Sequence, residues 1–291
     1  MCQPVTSHQT TATVLFNKQL TKTQYLLRLQ ADNGVEEAKP GHFVHLNCHP
    51  SLTLPRPFSI LDSDIEQGTL DIFYQVVGEG TQYMAGWEAG FATTMLTPIG
   101  CHFKQPEVGS HAFLIAGGIG YAPLDFFARY LKKQGVDTTM LLGLESDPPF
   151  ELTSSTTPLL PFEPITNPLS IVRQDSLGIP SRLSSLQAKP GFFQGYVTEL
   201  ATAILQKMDS EQLGKTELFI CGPTPMMKAA AKVASQFNIT GQASLEEHMA
   251  CGFGGCAGCV APIKDGDSWS YRRVCTDGPV FDLKDVVWDK I

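Results

Sequence analysis

The chain has 291 residues, a net charge of −8 and 43% hydrophobic residues, a composition typical of a globular protein with two or three domains. Its basic residues form no run, which argues against a nucleic-acid partner, and no stretch approaches the 18 consecutive apolar residues of a membrane span. Eight cysteines are too few for a secreted disulfide scaffold, and the N-terminus lacks a signal-peptide pattern, so we expect a cytoplasmic protein.

Residues 8–106 are predicted to form a small antiparallel β-barrel. Short segments in which apolar and polar residues alternate follow one another at close intervals, as in TATVLFNKQ, TQYLLRLQA and TLDIFYQVV. Turn sequences such as Asp32-Asn33-Gly34 and Lys39-Pro40-Gly41 separate them. Several short strands at this spacing are typical of a barrel.

Two segments of the predicted barrel have the chemistry of an anion site. In Arg56-Pro57-Phe58-Ser59, an arginine fixed by the following proline is suited to grip a pyrophosphate, although an edge strand with a solvated arginine would look the same. Farther along, Gly78-Glu79-Gly80-Thr81 opens a short helix, whose free N–H groups attract anions. Thr81 is equally suited to be a plain N-cap.

Residues 107–243 are predicted to form an α/β domain with a parallel sheet. Phe113–Ala116 is a buried strand, Gly117-Gly118-Ile119-Gly120 is a turn, and a helix follows with Pro123 in its first turn. This is the start of a βαβ unit whose turn would hold a dinucleotide pyrophosphate, although it does not match G-x-G-x-x-G. The next strand, Thr138–Leu142, leads to Glu145, an acid that favours NADH over NADPH unless it is only an exposed loop residue.

The second half of this domain has a weaker pattern. Residues from about 147 to 193 are rich in proline, with only Ser170–Arg173 resembling a strand, and we interpret the segment as an irregular insertion. A second ligand-facing edge follows where a strand ends at Cys221-Gly222-Pro223 and a helix begins. Cys221 would lie near a nicotinamide ring, although a buried apolar role would suit it equally.

The C-terminal residues 244–291 contain four cysteines with informative spacing. Cys251, Cys256 and Cys259 follow C-x4-C-x2-C, and Cys275 comes fifteen residues later. This is the plant-type ligand spacing of a [2Fe–2S] cluster, and the intervening glycines let bare backbone approach the cluster sulfides. A structural zinc site, the main alternative, usually has paired short spacings.

The order of these motifs resembles a known family. RPxS and GxGT followed by GGxGxxP and CGPxxM resemble the ferredoxin–NADP reductase superfamily, and SLEEHMACGFGGCAGC with C-x-DGPVF resembles the electron-transfer subunits of dihydroorotate dehydrogenase B. The resemblance covers nearly the whole chain. The sequence departs from the family pattern at Thr97-Pro98-Ile99-Gly100-Cys101, where a GPLG-like turn is usual. It also departs in the segment 147–193, which is longer and richer in proline than expected.

The resemblance implies a fold, a set of cofactors and a partner. The fold would be a β-barrel FAD domain, an α/β parallel-sheet nucleotide domain and a small C-terminal [2Fe–2S] module. Electrons would pass between NAD and a separate FMN-containing subunit that oxidises dihydroorotate in pyrimidine biosynthesis, through FAD and the cluster. The usual assembly would be a heterotetramer. Related subunits that serve sulfide dehydrogenases, hydrogenases or ferredoxin-linked enzymes are the alternative, and a zinc-bound interaction module is a third.

The resemblance also assigns residues. FAD would be held by Arg56, Pro57, Phe58, Ser59, Phe73, Tyr74, Gln75, Gly80 and Thr81. NAD would face Gly117, Gly118, Gly120, Cys221, Gly222 and Pro223, and the cluster would be ligated by Cys251, Cys256, Cys259 and Cys275. Ser59 is expected to tune the flavin and Cys221 to lie near the path of the hydride.

Overall fold

The computed structural model describes residues 5–291, which divide into two compact units. The first contains residues up to Phe103 together with Ser244–Phe281 and Asp285–Ile291, and the second contains Lys104–Ala243 and Asp282–Lys284. The cysteine-rich segment is therefore grouped with the N-terminal barrel. The three-domain division at residues 106 and 243 stays a prediction.

The first unit is built on a closed six-stranded barrel, as the alternating pattern predicts. Its strands run in the order β1-β2-β5-β4-β3-β6, and all of the pairs are antiparallel. They are β1 (His8–Gln19), β2 (Gln24–Ala31), β3 (Phe43–Leu46), β4 (Arg56–Asp64), β5 (Thr69–Gln75) and β6 (Ala92–Ile99), with helix α1 (Glu79–Ala85) between β5 and β6.

The barrel core is filled by side chains from alternate strand positions. Leu27, Leu29, Ile60 and Ile72 are fully buried, and Ile60 lies directly opposite Ile72 across β4 and β5. Burying a side chain of this size stabilises the fold by about 1.5–3 kcal/mol. The period-two pattern of the sequence thus places one face of β2 in the core, whereas β3 and β5 are buried on both faces.

The second unit is organised around a sheet in which the strands of this unit follow the order β12-β11-β8-β7-β13-β14. Its central strands β11, β8, β7 and β13 pair in parallel. The elements in chain order are β7 (His111–Gly117), a 3-10 turn (Gly118–Gly120), α2 (Tyr121–Lys133), β8 (Thr138–Gly143), β9 (Leu152–Ser154), β10 (Leu169–Ile171), α3 (Val172–Ser176), β11 (Ser181–Ser185), β12 (Phe193–Gln194), α4 (Val197–Leu205), α5 (Ser210–Gly214), β13 (Thr216–Cys221), α6 (Thr224–Gln236) and β14 (Thr240–Ser244).

The structure differs from the expectation of an irregular insertion at 147–193. The segment contains β9 and β10, which form a small antiparallel sheet, and β11, which pairs with β8 in the main sheet. The stretch Ser170–Arg173 is divided between the end of β10 and the start of α3. Hydrophobic periodicity missed β11 because this buried strand is mostly polar, with the sequence SRLSS.

A buried arginine explains how such a polar strand is accommodated. Arg182 is only 1% exposed, and its guanidinium forms an ion pair with Glu163 at 2.6 Å. The guanidinium also donates to Ser155 Oγ at 3.0 Å and to the carbonyl of Thr157 at 2.8 Å. A buried charge is tolerated when it is paired and hydrogen-bonded, so Arg182 joins the main sheet to the loop before β10.

The remaining strands are β15 (Val260–Asp265), β16 (Ser268–Arg273) and β17 (Val280–Asp282). β15 and β16 form an antiparallel hairpin, which spans the sequence between the cysteine loop and Cys275. Among residues 5–291, no helix is both long enough and apolar enough to cross a membrane. The predicted fold class is confirmed in its barrel and in its largely parallel sheet.

Histidine burial predicts that the fold loses stability in acid. Burial, with His102 and Lys39 nearby, lowers the pKa of His42 to about 3, whereas an unfolded histidine titrates near 6.5. Below pH 6.5 the unfolded state therefore binds more protons, and stability falls as pH falls. Between pH 7 and pH 5, the free energy of unfolding should fall by about 2 kcal/mol less in His42→Gln than in the wild type. Urea unfolding at the two pH values measures this difference. Equal losses in the variant and the wild type would contradict this origin.

Candidate functional site

The four cysteines of the C-terminal segment lie near one another. Cys256 acts on the pKa of the Cys251 thiol, and both Cys259 and Cys251 act on that of Cys275. Among residues 5–291, no group of three or more His, Cys, Asp or Glu side chains is arranged to hold a single metal ion. A [2Fe–2S] cluster takes four thiolates, two on each iron, and Cys251, Cys256, Cys259 and Cys275 supply that number.

The backbone of the cysteine loop faces the sulfur atoms. The N–H of Cys256 donates to Cys251 Sγ at 3.4 Å, and the N–H of Gly258 donates to Cys256 Sγ at 3.4 Å. Burial raises the pKa of Cys251, but backbone hydrogen bonds from Cys256, Phe253 and Gly255 outweigh it and lower the pKa to about 7. Donors that favour thiolate are what a cluster site requires, because the ligands must be deprotonated.

The return strand supplies the fourth thiol in a different environment. Burial and hydrogen bonding with Cys259 raise the pKa of Cys275 to about 12. The hydroxyl of Thr276 is buried and has no hydrogen-bond partner among the described residues. A buried orphan hydroxyl beside a candidate ligand fits a site completed by a bound group. The residues present therefore fit a [2Fe–2S] cluster.

A second site lies on the barrel, where the start of β4 meets the end of β5. The antiparallel register that pairs Ile60 with Ile72 brings Arg56–Ser59 beside Phe73–Gln75. The rings of Phe58 and Tyr74 meet edge to face at 6.0 Å. Burial raises the pKa of Tyr74, and its hydroxyl donates to Asn17 Oδ1 at 3.2 Å, so this ring is neutral and fixed.

Helix α1 places its first turn against the same edge. A Cβ added to Gly80 would lie 3.4 Å from Arg56 Cγ, so the glycine turn and the arginine are neighbours. The Thr81 hydroxyl donates to the carbonyl of Gly78 and accepts from the N–H groups of Val77 and Gly78. Thr81 thus shapes the turn before the helix. Arg56, the aromatic pair and the turn converge in an arrangement that fits a flavin dinucleotide.

In the second unit, two glycine turns meet at the carboxyl edge of the parallel sheet. Strands β7 and β13 are adjacent and pair Ala116 with Cys221, so Gly117–Gly120 and Cys221–Pro223 leave the sheet side by side. A Cβ at Gly120 would lie 2.3 Å from the carbonyl oxygen of Cys221, closer than any real contact. This edge is where open α/β sheets bind nucleotides, and the glycines let the two turns pack directly against each other there. Glu145 is exposed in the loop after β8.

Comparison with known proteins identifies the chain's relatives. Residues 246–287 match the model of the iron–sulfur cluster binding domain of dihydroorotate dehydrogenase B. The dihydroorotate dehydrogenase B (NAD(+)) electron transfer subunit of Shouchella clausii is 31% identical over 279 residues, covering 94% of this chain and 96% of that protein. Its counterpart from Caldanaerobacter subterraneus is 30% identical, covering 95% and 98%. The chain belongs to this family of electron-transfer subunits.

Solved structures agree on the fold. An NADH-dependent reduced ferredoxin–NADP oxidoreductase superposes with a TM-score of 0.75 at 22% identity, covering 96% of this chain and 90% of that one. The ferredoxin–NADP+ reductase of Neisseria gonorrhoeae superposes with a TM-score of 0.60 at 15% identity, covering 79% and 91%. The predictions of the family, of a reductase-type fold and of an iron–sulfur domain are thus confirmed.

The structure brings the predicted residues together in three groups. The cysteines lie in one loop with its return strand, the flavin residues on one barrel edge, and the glycine turns on one sheet edge. Their individual roles stay predictions. Sequence reasoning passed over Thr276 and His45, which lie against the cysteine loop. The only sequence signal for Thr276 is its position directly after Cys275. The sequence contains no signal that identifies His45.

The close approach of the two glycine turns can be tested by substitution. Gly120→Ala should push the turns apart and weaken NADH binding at least tenfold, a loss of about 1.4 kcal/mol, while bound flavin and cluster are retained. NADH titration of the purified protein measures it. The matched control is Gly214→Ala, since a Cβ at Gly214 meets open space. Unchanged NADH affinity in the Gly120 variant would contradict a nucleotide site at this edge.

Proposed function

We propose that this chain is the electron-transfer subunit of a dihydroorotate dehydrogenase, linking a dihydroorotate-oxidising partner to NAD+. The observation that carries the proposal is family membership over nearly the whole chain, together with four cysteines at cluster spacing in the segment that matches the family's cluster domain. The partner would be an FMN-containing subunit, in a heterotetramer with two copies of each chain. The complex would act in the cytoplasm.

The chain's own residues bind and orient rather than transfer protons. When bound, FAD exchanges hydride with NAD and single electrons with an iron–sulfur cluster, which is why the three occur together. Arg56 would grip the pyrophosphate with the N–H groups at Gly80 and Thr81, and Phe73–Gln75 would line the ring system. The four cysteines would hold the cluster, with loop N–H groups stabilising their charge.

Cofactor preference and hydride geometry depend on the second unit. Gly117, Gly118 and Gly120 present bare backbone to a dinucleotide, and Gly222 and Pro223 complete the same edge. Cys221 ends β13 and is partly exposed, which suits a position beside the nicotinamide. Glu145 favours NAD, because an acid there would accept a hydrogen bond from a ribose hydroxyl and would repel a 2′-phosphate.

Ser59 is the residue proposed to tune the flavin. It is half-buried in β4, opposite Phe43 in β3. Ser59→Ala should slow flavin reduction by NADH about tenfold, equivalent to the loss of about 1.4 kcal/mol from one hydrogen bond that strengthens in the transition state. FAD content should stay normal. Stopped-flow absorbance of the loaded chain measures the rate, and an unchanged rate would remove Ser59 from this role.

Cys256 provides the test of the electron route. This thiol is exposed, and Cys256→Ser should abolish NAD+ reduction by dihydroorotate in the assembled complex. Reduction of bound FAD by NADH should continue at the wild-type rate. Ser268→Ala, at an exposed position of the same segment, is the control and should change neither rate.

The same preparation separates this proposal from its alternatives. Copurification with a flavin subunit and dihydroorotate-dependent NAD+ reduction support it. A subunit that carries flavin and cluster but couples only to sulfide, hydrogen or ferredoxin would assign it to another partner. A colourless, zinc-loaded protein would refute electron transfer altogether.

A further inference from the structure

His45 is a buried polar residue that is not among the residues proposed to hold the flavin, NAD or the cluster. It lies in β3, is 2% exposed, and its Nε2 atom has no hydrogen-bond partner among the described residues. Burial lowers the pKa of His45, an effect opposed by the nearby backbone of Cys251 and Pro55. A buried imidazole that lacks a hydrogen-bond partner lowers the stability of the fold. Its presence at this position therefore points to a role other than stabilising the barrel.

One side of His45 fits into the cysteine loop. Gly252 has a φ of +75°, and a Cβ built there would lie 2.6 Å from His45 Nδ1 and 3.1 Å from its Cγ. No side chain fits at that distance, so the imidazole occupies the space that any other residue at 252 would need. The ring therefore determines where the backbone after Cys251 lies on the barrel.

The other side of His45 adjoins the strand proposed to carry the flavin. β3 and β4 pair without a bulge, with His45 opposite Pro57 and Phe43 opposite Ser59. Residues directly opposite in a sheet, and those two apart in one strand, share a face. His45 and Ser59 thus share a face of the sheet, and the backbone of Pro55, just before Arg56, also approaches the imidazole.

We propose that His45 is a positioning residue that fixes the cluster relative to the flavin, by packing between the Cys251 loop and the β4 segment Arg56–Ser59. The inference rests on the proposed function. Both contacts belong to one compact unit, so the imidazole is a rigid spacer between two cofactor-holding segments. Its removal would leave each segment intact and loosen their relative placement, which would change the environment of the Cys251 ligand and the step between the two cofactors.

The test uses the full chain loaded with FAD and cluster and reduced by NADH without oxygen. His45→Leu fills the volume but has no N–H, and should retain both cofactors and the wild-type rate of flavin reduction. Reduction of the cluster should slow about tenfold, because leucine lacks the ring nitrogens that face the backbone of Cys251 and holds that loop less closely in place. The EPR spectrum of the reduced cluster should also change, a readout that a purely stabilising residue would leave alone.

Two further variants separate positioning from general packing. His45→Gln keeps a side-chain N–H and should restore the wild-type spectrum and most of the rate. Gly252→Ala disturbs the same contact from the loop side, because its Cβ would clash with the His45 ring. This variant should show the same EPR spectrum as His45→Leu although the imidazole is present. If His45→Leu does not fold, these two variants decide the result.

His42→Gln is the matched control, because His42 lies in the same barrel and is also 2% exposed. It contacts Lys39 and His102 and should leave the spectrum and both rates unchanged.

The outcomes are distinct. A wild-type EPR spectrum together with wild-type cluster reduction in His45→Leu would overturn the proposal, and so would loss of FAD from that variant. An equal spectral change in His42→Gln would also overturn it. If the wild-type chain takes up neither flavin nor cluster, the proposed function itself fails, which the cofactor content shows before any variant is compared.

Discussion

The structure of the first unit depends on one close contact, between the loop of Cys251 and Cys256 and barrel strand β3. At this contact residue 252 has no room for a side chain. Gly252 provides both the left-handed backbone conformation and the space for the His45 ring. The C-terminal segment continues along the barrel, where the N–H of Cys101 donates to the carbonyl of Gly278 at 2.7 Å. These contacts accompany the grouping of the cysteine segment with the barrel in one compact unit.

Backbone donors account for most of the chemistry that the first unit offers. Loop N–H groups favour charged sulfur at Cys251, and the turn before helix α1 lies beside Arg56. N–H groups of this kind put partial positive charge where a negative group can bind. The Nη1 atom of Arg56 donates to the carbonyl of Leu54 at 2.7 Å, which orients the guanidinium. An oriented guanidinium loses less entropy when it binds a phosphate.

Several polar and charged groups of the second unit are satisfied within the segment 147–193. Arg182 and Glu163 form an ion pair, and Asp175 accepts hydrogen bonds from the hydroxyls of Thr156 and Thr157. These polar contacts order a proline-rich stretch that has few apolar side chains to bury. The same polar composition explains why β11 was not predicted from the sequence. A hydrophobic pattern cannot identify a strand whose buried side chains are mostly serines and an arginine.

The sequence by itself determined the barrel, the βαβ start, the cysteine spacing and the family. Each of these is a local or periodic pattern, and the physics that produces it acts over a few neighbouring residues. Only the tertiary structure decided that β11 belongs to the main sheet and that the His45 ring lies against Gly252. Those facts join residues far apart in the chain, 207 positions for His45 and Gly252, and close packing alone brings them together.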